Sequence, residues 1–70
     1  MKWEIVRSSS IAKIGYDGPS RTLGVEFLYG AIYEYYDVPS AVYDELRRAP
    51  SIGRYVAERI KGTYRYARAE

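Results

Sequence analysis

The chain has 70 residues, with eleven lysines and arginines, nine aspartates and glutamates, nine tyrosines, and neither cysteine nor histidine. The absence of cysteine excludes a disulfide framework and a thiolate zinc site, and the absence of histidine removes the usual metal ligand and the usual general base near neutral pH. A chain of this size buries only about 60% of its unfolded surface, so large aromatic side chains must fill much of its core. We therefore predict a single small domain over residues 1–70, with no cofactor, no metal and no enzymatic activity.

The distribution of charge along the chain bears on its partners. Residues 1–46 carry four basic and seven acidic side chains, a net charge of −3, whereas residues 47–70 carry seven basic and two acidic ones, a net charge of +5. This asymmetry fits an acidic or phosphate-bearing partner for the C-terminal third, and equally a solvated helix surface. No apolar run approaches the ~20 residues of a membrane span, and the first four residues do not resemble a signal peptide. We expect a cytoplasmic protein without membrane association, either a monomer or a weak dimer.

The N-terminal residues predict two short extended segments. Residues 3–6 are either a strand or a segment that holds the N-terminus against the core. The serine run Ser8–Ser10 favours a turn or bulge, although its hydroxyls beside Arg7 could instead hold a phosphate. The next segment, Ile11–Tyr16, is predicted to be a strand, and it turns three side chains toward one face: Ala12, Ile14 and Tyr16.

A β-hairpin is predicted between Thr22 and Asp37. In both strands the apolar residues of the expected core face have odd numbers. Residues directly opposite each other lie on the same face, so the two odd-numbered sets share a face only if the numbers of each opposed pair sum to an even number. A three-residue loop satisfies this condition, whereas a two-residue loop does not. The expected loop is Leu28-Tyr29-Gly30 with Gly30 left-handed, because glycine adopts positive φ at the lowest cost. The resulting pairs are Phe27 with Ala31, Val25 with Tyr33, and Leu23 with Tyr35.

Two helices follow the hairpin. The first begins at Val38-Pro39-Ser40, with Pro39 in its first turn, and ends before Pro50 because the residue preceding a proline avoids the α region. The second runs from Ile52 to Lys61, with Ser51 as its N-cap and Gly62 as its C′ residue. Each has an apolar stripe for packing on the sheet, formed by Val42, Leu46 and Ala49 in the first and by Ile52, Val56 and Ile60 in the second.

Together these elements predict an α+β domain. An antiparallel β-meander of three or more strands is covered on one face by two C-terminal helices, and residues 63–70 either add an edge strand or fray. Tyr33 and Tyr35 share the sheet face that the helices need, so we expect both rings in the core with their hydroxyls at its rim. Tyr36 falls on the opposite face, exposed among Glu26 and Glu34.

Short motifs occur along the chain in a recognisable order. They are VRSSS at 6–10, IGYD at 14–17, Leu23-x-Val25-x-Phe27, Gly30-x-x-Tyr33-x-Tyr35, Val38-Pro39 and Ser51-x-Gly53-x-Tyr55. From Val6 to Tyr64 the sequence resembles the KTSC domain, a small module found alone or at the C-terminus of some lysyl-tRNA synthetases, and its central Tyr-x-Tyr matches Tyr33-Glu34-Tyr35. The resemblance suggests an accessory role in RNA binding. It implies structural roles for the family motif residues, which are Gly30, Tyr33, Tyr35, Pro39, Ser51 and Gly53.

RNA binding requires cations for the phosphates and flat rings for the bases. Because Tyr33 and Tyr35 are expected in the core, the basic helical segment and the tail form the predicted contact surface for tRNA or single-stranded RNA. The candidate contact residues are Arg47, Arg48, Arg54, Tyr55, Arg59, Lys61 and Arg65.

Two other functions compete with RNA binding. The serious alternative is a protein–protein interaction module, in which an acidic sheet face and a basic helix edge bind a protein partner or a second copy of the chain, with no nucleic-acid role. The weaker alternative is a carboxylate group of Glu26, Glu34 and Asp37 that binds a hard cation or acts in acid–base catalysis. We disfavour it, because the sequence supplies neither a nucleophile nor a recognisable cleft beside these acids.

Overall fold

Residues 1–69 form five strands and two helices. The computed structural model describes residues 1–69, so Glu70 of the predicted tail lies outside the described residues. The elements are β1 (Lys2–Ile5), β2 (Ile11–Asp17), β3 (Thr22–Phe27), β4 (Ile32–Tyr35), α1 (Ser40–Arg48), α2 (Ile52–Tyr55) and β5 (Tyr66–Arg68). The strands form one antiparallel sheet in the order β1-β2-β3-β4-β5, which confirms the predicted α+β architecture and makes the tail an edge strand. None of the helices in this part of the chain is long and apolar enough to cross a membrane.

The β3–β4 hairpin has the predicted register. Leu23 pairs with Tyr35 and Val25 pairs with Tyr33. Gly30 has a φ of +104°, which is the left-handed conformation expected at the end of the three-residue turn. The predicted three-residue loop and register are confirmed, and both tyrosines of β4 lie on the face of the sheet that packs against the core.

A β-bulge near the start of β2 adds a residue to the core. Ile11 lies opposite Phe27 while Lys13 lies opposite Glu26, so the register shifts by one residue at Ala12. Ile11 is consequently buried, with 1% of its surface exposed. Alternation alone did not predict this burial, because a bulge changes which residues of a strand face the core, and the sequence pattern does not show where the bulge lies.

Helix α1 begins later than predicted. Pro39 is its N-cap rather than a residue of its first turn, because its extended ψ of 148° lies outside the helical range, and its carbonyl oxygen accepts the Val42 N–H at 3.0 Å. The end of the helix is as predicted, since Ala49 leaves the α region immediately before Pro50. Leu46, in the middle of the apolar stripe, is fully buried.

The second helical segment changes its winding halfway. Ser51 caps it as predicted, because the serine Oγ accepts a backbone N–H of the first turn at 3.2 Å. Val56–Ile60 continue α2 as a π-helical turn, and the Lys61 N–H donates to the Val56 carbonyl oxygen at 2.9 Å. Gly62 follows with a φ of +80°, as expected for the C′ residue. The predicted helix is present, but its second half has π rather than α geometry.

The core fills the space between the sheet and the helices. Leu23 of β3, Leu46 of α1 and Ile60 of the π-helical turn are each 0% exposed, so every layer contributes to it. Tyr35 is 2% exposed and belongs to the core, as predicted. Tyr33 is only partly buried and packs at the edge of the core, so its ring is shared between the interior and the surface.

On the opposite face of the sheet, Trp3 lies over a pair of glycines. Gly15 and Gly24 face each other across β2 and β3. A Cβ on Gly24 would lie 2.6 Å from Trp3 Cη2, and one on Gly15 would lie 2.9 Å from the carbonyl oxygen of Lys2. The two glycines therefore form a shallow groove that the indole fills, and β1 both extends the sheet and covers part of its second face.

Candidate nucleic-acid interface

The main candidate site is a cleft between the β3–β4 turn, β5 and the end of the π-helical turn. Its volume is about 390 Å³. It is lined by Phe27, Tyr29, Tyr33, Tyr35, Lys61, Gly62 and Tyr66. We call it the aromatic cleft, because five of its seven lining residues present aromatic rings. A larger groove between β1 and α1 is lined mostly by charged and aliphatic side chains, which gives it no comparable stacking surface.

The rings of the aromatic cleft form a continuous series. Tyr29 stacks on Phe27 with centroids 5.5 Å apart, Phe27 meets Tyr33 edge-to-face at 5.7 Å, and Tyr33 stacks on Tyr66 at 5.7 Å. Both ends of the series are open, since Tyr29 is 74% exposed and Tyr66 is 61% exposed. A planar molecule can therefore stack on either end ring without first opening the core.

Strand β5 completes the cleft. It pairs Tyr66 with Tyr35 and Arg68 with Tyr33, so all four residues lie on the sheet face that carries the helices. Burial raises the pKa of Tyr35, and its tyrosine neighbours raise it further, so this hydroxyl stays neutral at physiological pH. The floor of the cleft is therefore uncharged, and its charge comes from the residues at its margin.

Lys61 supplies a positive charge in the aromatic cleft. Its Nζ lies 5.2 Å from the centroid of the Phe27 ring, which is a cation–π distance. The π-helical turn ends immediately before Lys61, and Gly62 then reverses the chain with its positive φ. An ammonium group in this position can bind the phosphate of a nucleotide whose base lies on the neighbouring rings.

The structure divides the predicted RNA-contact residues among three places, so they do not form one continuous surface. The groups are Lys61 with Arg65 at and beside the aromatic cleft, Arg54 with Tyr55 and Arg59 in a shallow groove along the second helical segment, and Arg47 with Arg48 in the groove between α1 and β1. The groove that contains Arg65 shares Gly62 and Tyr66 with the aromatic cleft, but the Arg65 guanidinium itself lies over the Tyr36 ring, on the other face of the sheet.

Three of these arginines form ion pairs. The pairs are Arg47 with Glu4 at 2.8 Å, Arg54 with Glu58 at 2.9 Å, and Arg65 with Asp37 at 3.1 Å. The hydrogen bond to Glu4 raises the pKa of Arg47, and the hydrogen bond to Glu58 raises the pKa of Arg54. Exposed pairs of this kind are weak, so the guanidinium groups can exchange a carboxylate for a phosphate, but their charge is partly compensated beforehand.

Tyr55 differs from the rings of the aromatic cleft in its surroundings. Its hydroxyl donates to Glu45 Oε1 at 2.7 Å, and burial together with this carboxylate raises its pKa to about 12. A carboxylate beside the ring repels a phosphate backbone. The role of Tyr55 in RNA contact stays a prediction, and its electrostatic environment is less favourable than that of Tyr29 or Tyr66.

The acidic residues of the hairpin also have cationic neighbours. Glu26 Oε1 lies 3.4 Å from Lys13 Nζ. Tyr36 contacts Glu34, as expected, but it is half-buried and the Arg65 guanidinium lies 5.8 Å from the centroid of its ring. The expectation that Tyr36 is exposed among acids is therefore wrong, because the tail brings a cation to it. Within residues 1–69, no group of three or more acidic side chains is arranged to hold a metal ion.

The serine run lies against the glycine of the Ser51-x-Gly53 motif. Ser8 Oγ accepts the N–H groups of Ser10 and Ile11, both at 3.2 Å, which is the turn geometry favoured for this run. A Cβ on Gly53 would overlap the hydroxyl of Ser10. Gly53 therefore allows the second helical segment to approach the serine turn, which is a structural role.

Tyr29 and Tyr66 are the site residues that sequence reasoning missed. A signal for Tyr29 was present, because a large aromatic residue is unusual in a tight turn dominated by small and polar residues. For Tyr66 the signal was the period-2 spacing of Tyr64, Tyr66 and Arg68, which is typical of a strand. Neither signal shows that the two rings meet, because that contact depends on the pairing of β5 with β4.

The fold and the cleft define a class of small antiparallel α+β domain with an aromatic surface site. The family described as the KTSC domain matches residues 7–64. The chain belongs to the KTSC domain family, which is not a known catalytic domain.

Three relatives illustrate the range of proteins that contain this domain. A KTSC domain protein from Yersinia pestis has a solved structure that matches with a TM-score of 0.92 and 33% identity, covering 99% of this chain and 97% of that one. An uncharacterised protein from Stutzerimonas stutzeri is 41% identical over 71 aligned positions, which cover 100% of both chains. A lysine–tRNA ligase from Trichormus variabilis is 43% identical over 58 residues, which are 83% of this chain. The chain spans only 10% of the length of that ligase.

Proposed function

We propose that this protein is an accessory RNA-binding module that stacks unpaired bases in the aromatic cleft. The observation that carries the proposal is the open-ended series of rings from Tyr29 to Tyr66 with the Lys61 ammonium beside it. Stacking a base on an aromatic side chain contributes about 1–3 kcal/mol and tolerates any base, because every base has a π face. The ligand is therefore a single strand, a loop or an unpaired end, since a duplex hides the faces of its bases.

The cationic residues near the cleft supply the second part of RNA recognition. Arg68 lies opposite Tyr33 in the register of β5, and Arg65 lines the adjoining groove. Lys61 and Arg68 supply positive charge on the sheet face of the cleft, where the backbone of a stacked strand would run, while the Arg65 guanidinium lies over Tyr36 on the other face and adds charge at the same sheet edge. The other predicted contacts lie outside this surface. Four of them are cations that contribute long-range attraction, Arg47, Arg48, Arg54 and Arg59, whereas Tyr55 is uncharged and contributes none.

The relatives support RNA over other planar ligands. Lysine–tRNA ligases contain a segment that matches most of this chain, and tRNA is the nucleic acid in their name. A domain that holds unpaired nucleotides would assist an enzyme that acts on tRNA, and the same property would serve a stand-alone chain. Both tRNA and single-stranded RNA are therefore the ligands to test.

The test is fluorescence anisotropy of a labelled single-stranded oligoribonucleotide and of labelled tRNA, titrated at two salt concentrations. We expect saturable binding that weakens with salt, because phosphate contacts release counterions. Tyr66→Ala should weaken binding about 5- to 150-fold, the range that corresponds to losing ~1–3 kcal/mol of stacking. Absence of binding to both RNAs at low salt would show that the proposal is wrong and would leave a protein partner as the function to pursue.

Two pairs of variants distinguish the aromatic cleft from the outer surface of the second helical segment. Tyr66→Ala is compared with Tyr55→Ala, and Lys61→Glu is compared with Arg59→Glu. We expect the first member of each pair to weaken binding more, because it removes a group from the cleft. If the second members have the larger effect, RNA binds to the outer helix surface and the cleft proposal fails.

A further inference from the structure

Strand β1 has an open outer edge. It pairs with β2 on one side, and no other strand of residues 1–69 pairs with it on the other side. Ile5, at the end of β1, is 89% exposed, the highest value among the large hydrophobic residues that the structure describes. An edge strand with a free row of backbone groups and an exposed apolar side chain is a template for pairing with another strand.

The hydrogen bonds of β1 show which of its residues can pair outward. The Val6 N–H donates to the Ala12 carbonyl oxygen at 3.2 Å, so the backbone of Val6 is directed toward β2. Hydrogen-bonding direction alternates along an antiparallel strand. Lys2 and Glu4 therefore also point their backbone groups toward β2, whereas Trp3 and Ile5 direct their N–H and C=O groups to the open edge.

One register of a second copy matches the charges along this edge. In this register the two strands pair antiparallel about a two-fold axis at Trp3, so the outward-directed backbone groups hydrogen-bond to each other. Lys2 then lies opposite the partner's Glu4, and Met1 lies opposite the partner's Ile5. An axis at Lys2 would oppose two ammonium groups, and an axis at Glu4 would oppose two carboxylates. The Trp3 register is the one that opposes unlike charges.

The side chains of this register are complementary on both faces. Lys2 and Glu4 lie on the helix face of the sheet, because their partners in β2 are Tyr16 and Ile14. The alternate residues Met1, Trp3 and Ile5 lie on the opposite face, where they form an apolar set. Arg47 and Tyr43 already contact Glu4, but a carboxylate has about four acceptor positions and can accept a further donor.

We infer that two copies of this chain associate through β1 to form one continuous antiparallel sheet. The pairing segment is only four residues long, so the contact is at the small end of protein interfaces and the dimer is weak. The occupant of this edge is a second copy rather than an unrelated strand because the charge pattern of β1 is self-complementary. This inference does not depend on RNA binding, since the aromatic cleft lies at the other edge of the sheet.

The test is sedimentation velocity over a concentration series, with folding of each variant checked by circular dichroism. We expect a monomer–dimer equilibrium for the unaltered chain. Ile5→Lys should abolish the dimer, while Leu28→Lys, which adds the same charge at an exposed apolar residue of the hairpin turn, should leave it unchanged. A chain that stays monomeric up to millimolar concentration, or a dimer that survives Ile5→Lys, would overturn the inference.

A charge exchange tests the register itself. Lys2→Glu places carboxylates opposite each other and should weaken the dimer several-fold. Combining Lys2→Glu with Glu4→Lys restores unlike pairs in reversed order and should recover association. Ile5→Pro removes one outward N–H without touching the ladder to β2, so a folded but monomeric Ile5→Pro variant is also expected. A double variant that remains as weak as Lys2→Glu would exclude this register and, with it, the proposed dimer.

Discussion

Tyr66, near the C-terminus, stacks on Tyr33 of the central hairpin with ring centroids 5.7 Å apart. This contact attaches β5 to the sheet and at the same time forms a wall of the aromatic cleft. The tail therefore contributes both to the edge of the fold and to the candidate site.

The exposure of Tyr66 separates its effects on binding and on stability. Because Tyr66 is 61% exposed, we expect Tyr66→Ala to lower the free energy of unfolding by only about 0.5–1.5 kcal/mol, the value of an aromatic pair. Urea denaturation measures this change. A loss comparable to that of a core truncation would mean that the weakened RNA binding reports unfolding rather than a lost contact.

Leu46 provides the comparison for a residue of the core. It is 0% exposed and is the buried residue of α1, so Leu46→Ala should lower the free energy of unfolding by about 2–5 kcal/mol. Val42→Ala, one turn earlier at a partly buried position, should have a smaller effect. Equal losses for the two variants would show that α1 is held to the sheet by more than Leu46.

The glycine groove under Trp3 predicts a non-additive pair of substitutions. Gly24→Ala should cost about 1–3 kcal/mol of stability, because its Cβ would lie 2.6 Å from Trp3 Cη2. The same substitution should cost less in a Trp3→Ala background, where the ring is absent. Gly18→Ala is the control, since, apart from Gly18 and its two chain neighbours, no described residue has an atom within 4 Å of its Cβ position. Additive losses from thermal or urea unfolding would contradict the close approach of the indole.

Tyr55 predicts a loss of stability at alkaline pH. Its pKa is raised from 10.0 to about 12 by burial and by the hydrogen bond to Glu45, so the folded chain keeps this proton where the unfolded chain releases it. The contribution of Tyr55 to the free energy of unfolding is therefore complete below about pH 10 and is lost as the pH rises toward 12. Tyr55→Phe should make the free energy of unfolding depend less on pH in that range. An unchanged pH profile would show that Tyr35 and Tyr43, whose pKa values are raised in the same direction, account for the effect.

The parts of the fold that could be predicted are those with a local physical cause. The alternation of apolar residues in the two strands predicted the pairing of Val25 with Tyr33 and so the hairpin register. The residue types of Ser51 and Gly62 predicted the ends of the second helical segment. The predicted RNA-contact residues were chosen by charge alone. The ion pairs of Arg47 with Glu4 and of Arg65 with Asp37 depend on tertiary contacts that charge does not show, whereas the pair of Arg54 with Glu58 is a local i,i+4 contact.

The aromatic cleft could not be predicted, because its walls come together only in the folded chain. Strand β5 is three residues long and all three are exposed, so the period-2 spacing of Tyr64, Tyr66 and Arg68 indicates a strand but not which strand it pairs with. Its position follows from pairing with Tyr35, which lies far away in the sequence. Lys61 reaches the cleft after a π-helical turn, and the apolar spacing of Val56 and Ile60 is equally typical of an α-helix. The family match begins after β1 and ends before β5, so both edge strands are built from residues outside it.

The strand order places β1 and β5 at opposite edges of the sheet. In a dimer joined through β1, the two aromatic clefts would therefore lie at the outer ends of the continuous sheet, about 40 Å apart at the usual spacing of ~4.8 Å between strands. Such an assembly is bivalent. A short oligonucleotide would occupy one cleft, whereas a strand long enough to reach both would gain avidity from the second without any new contact.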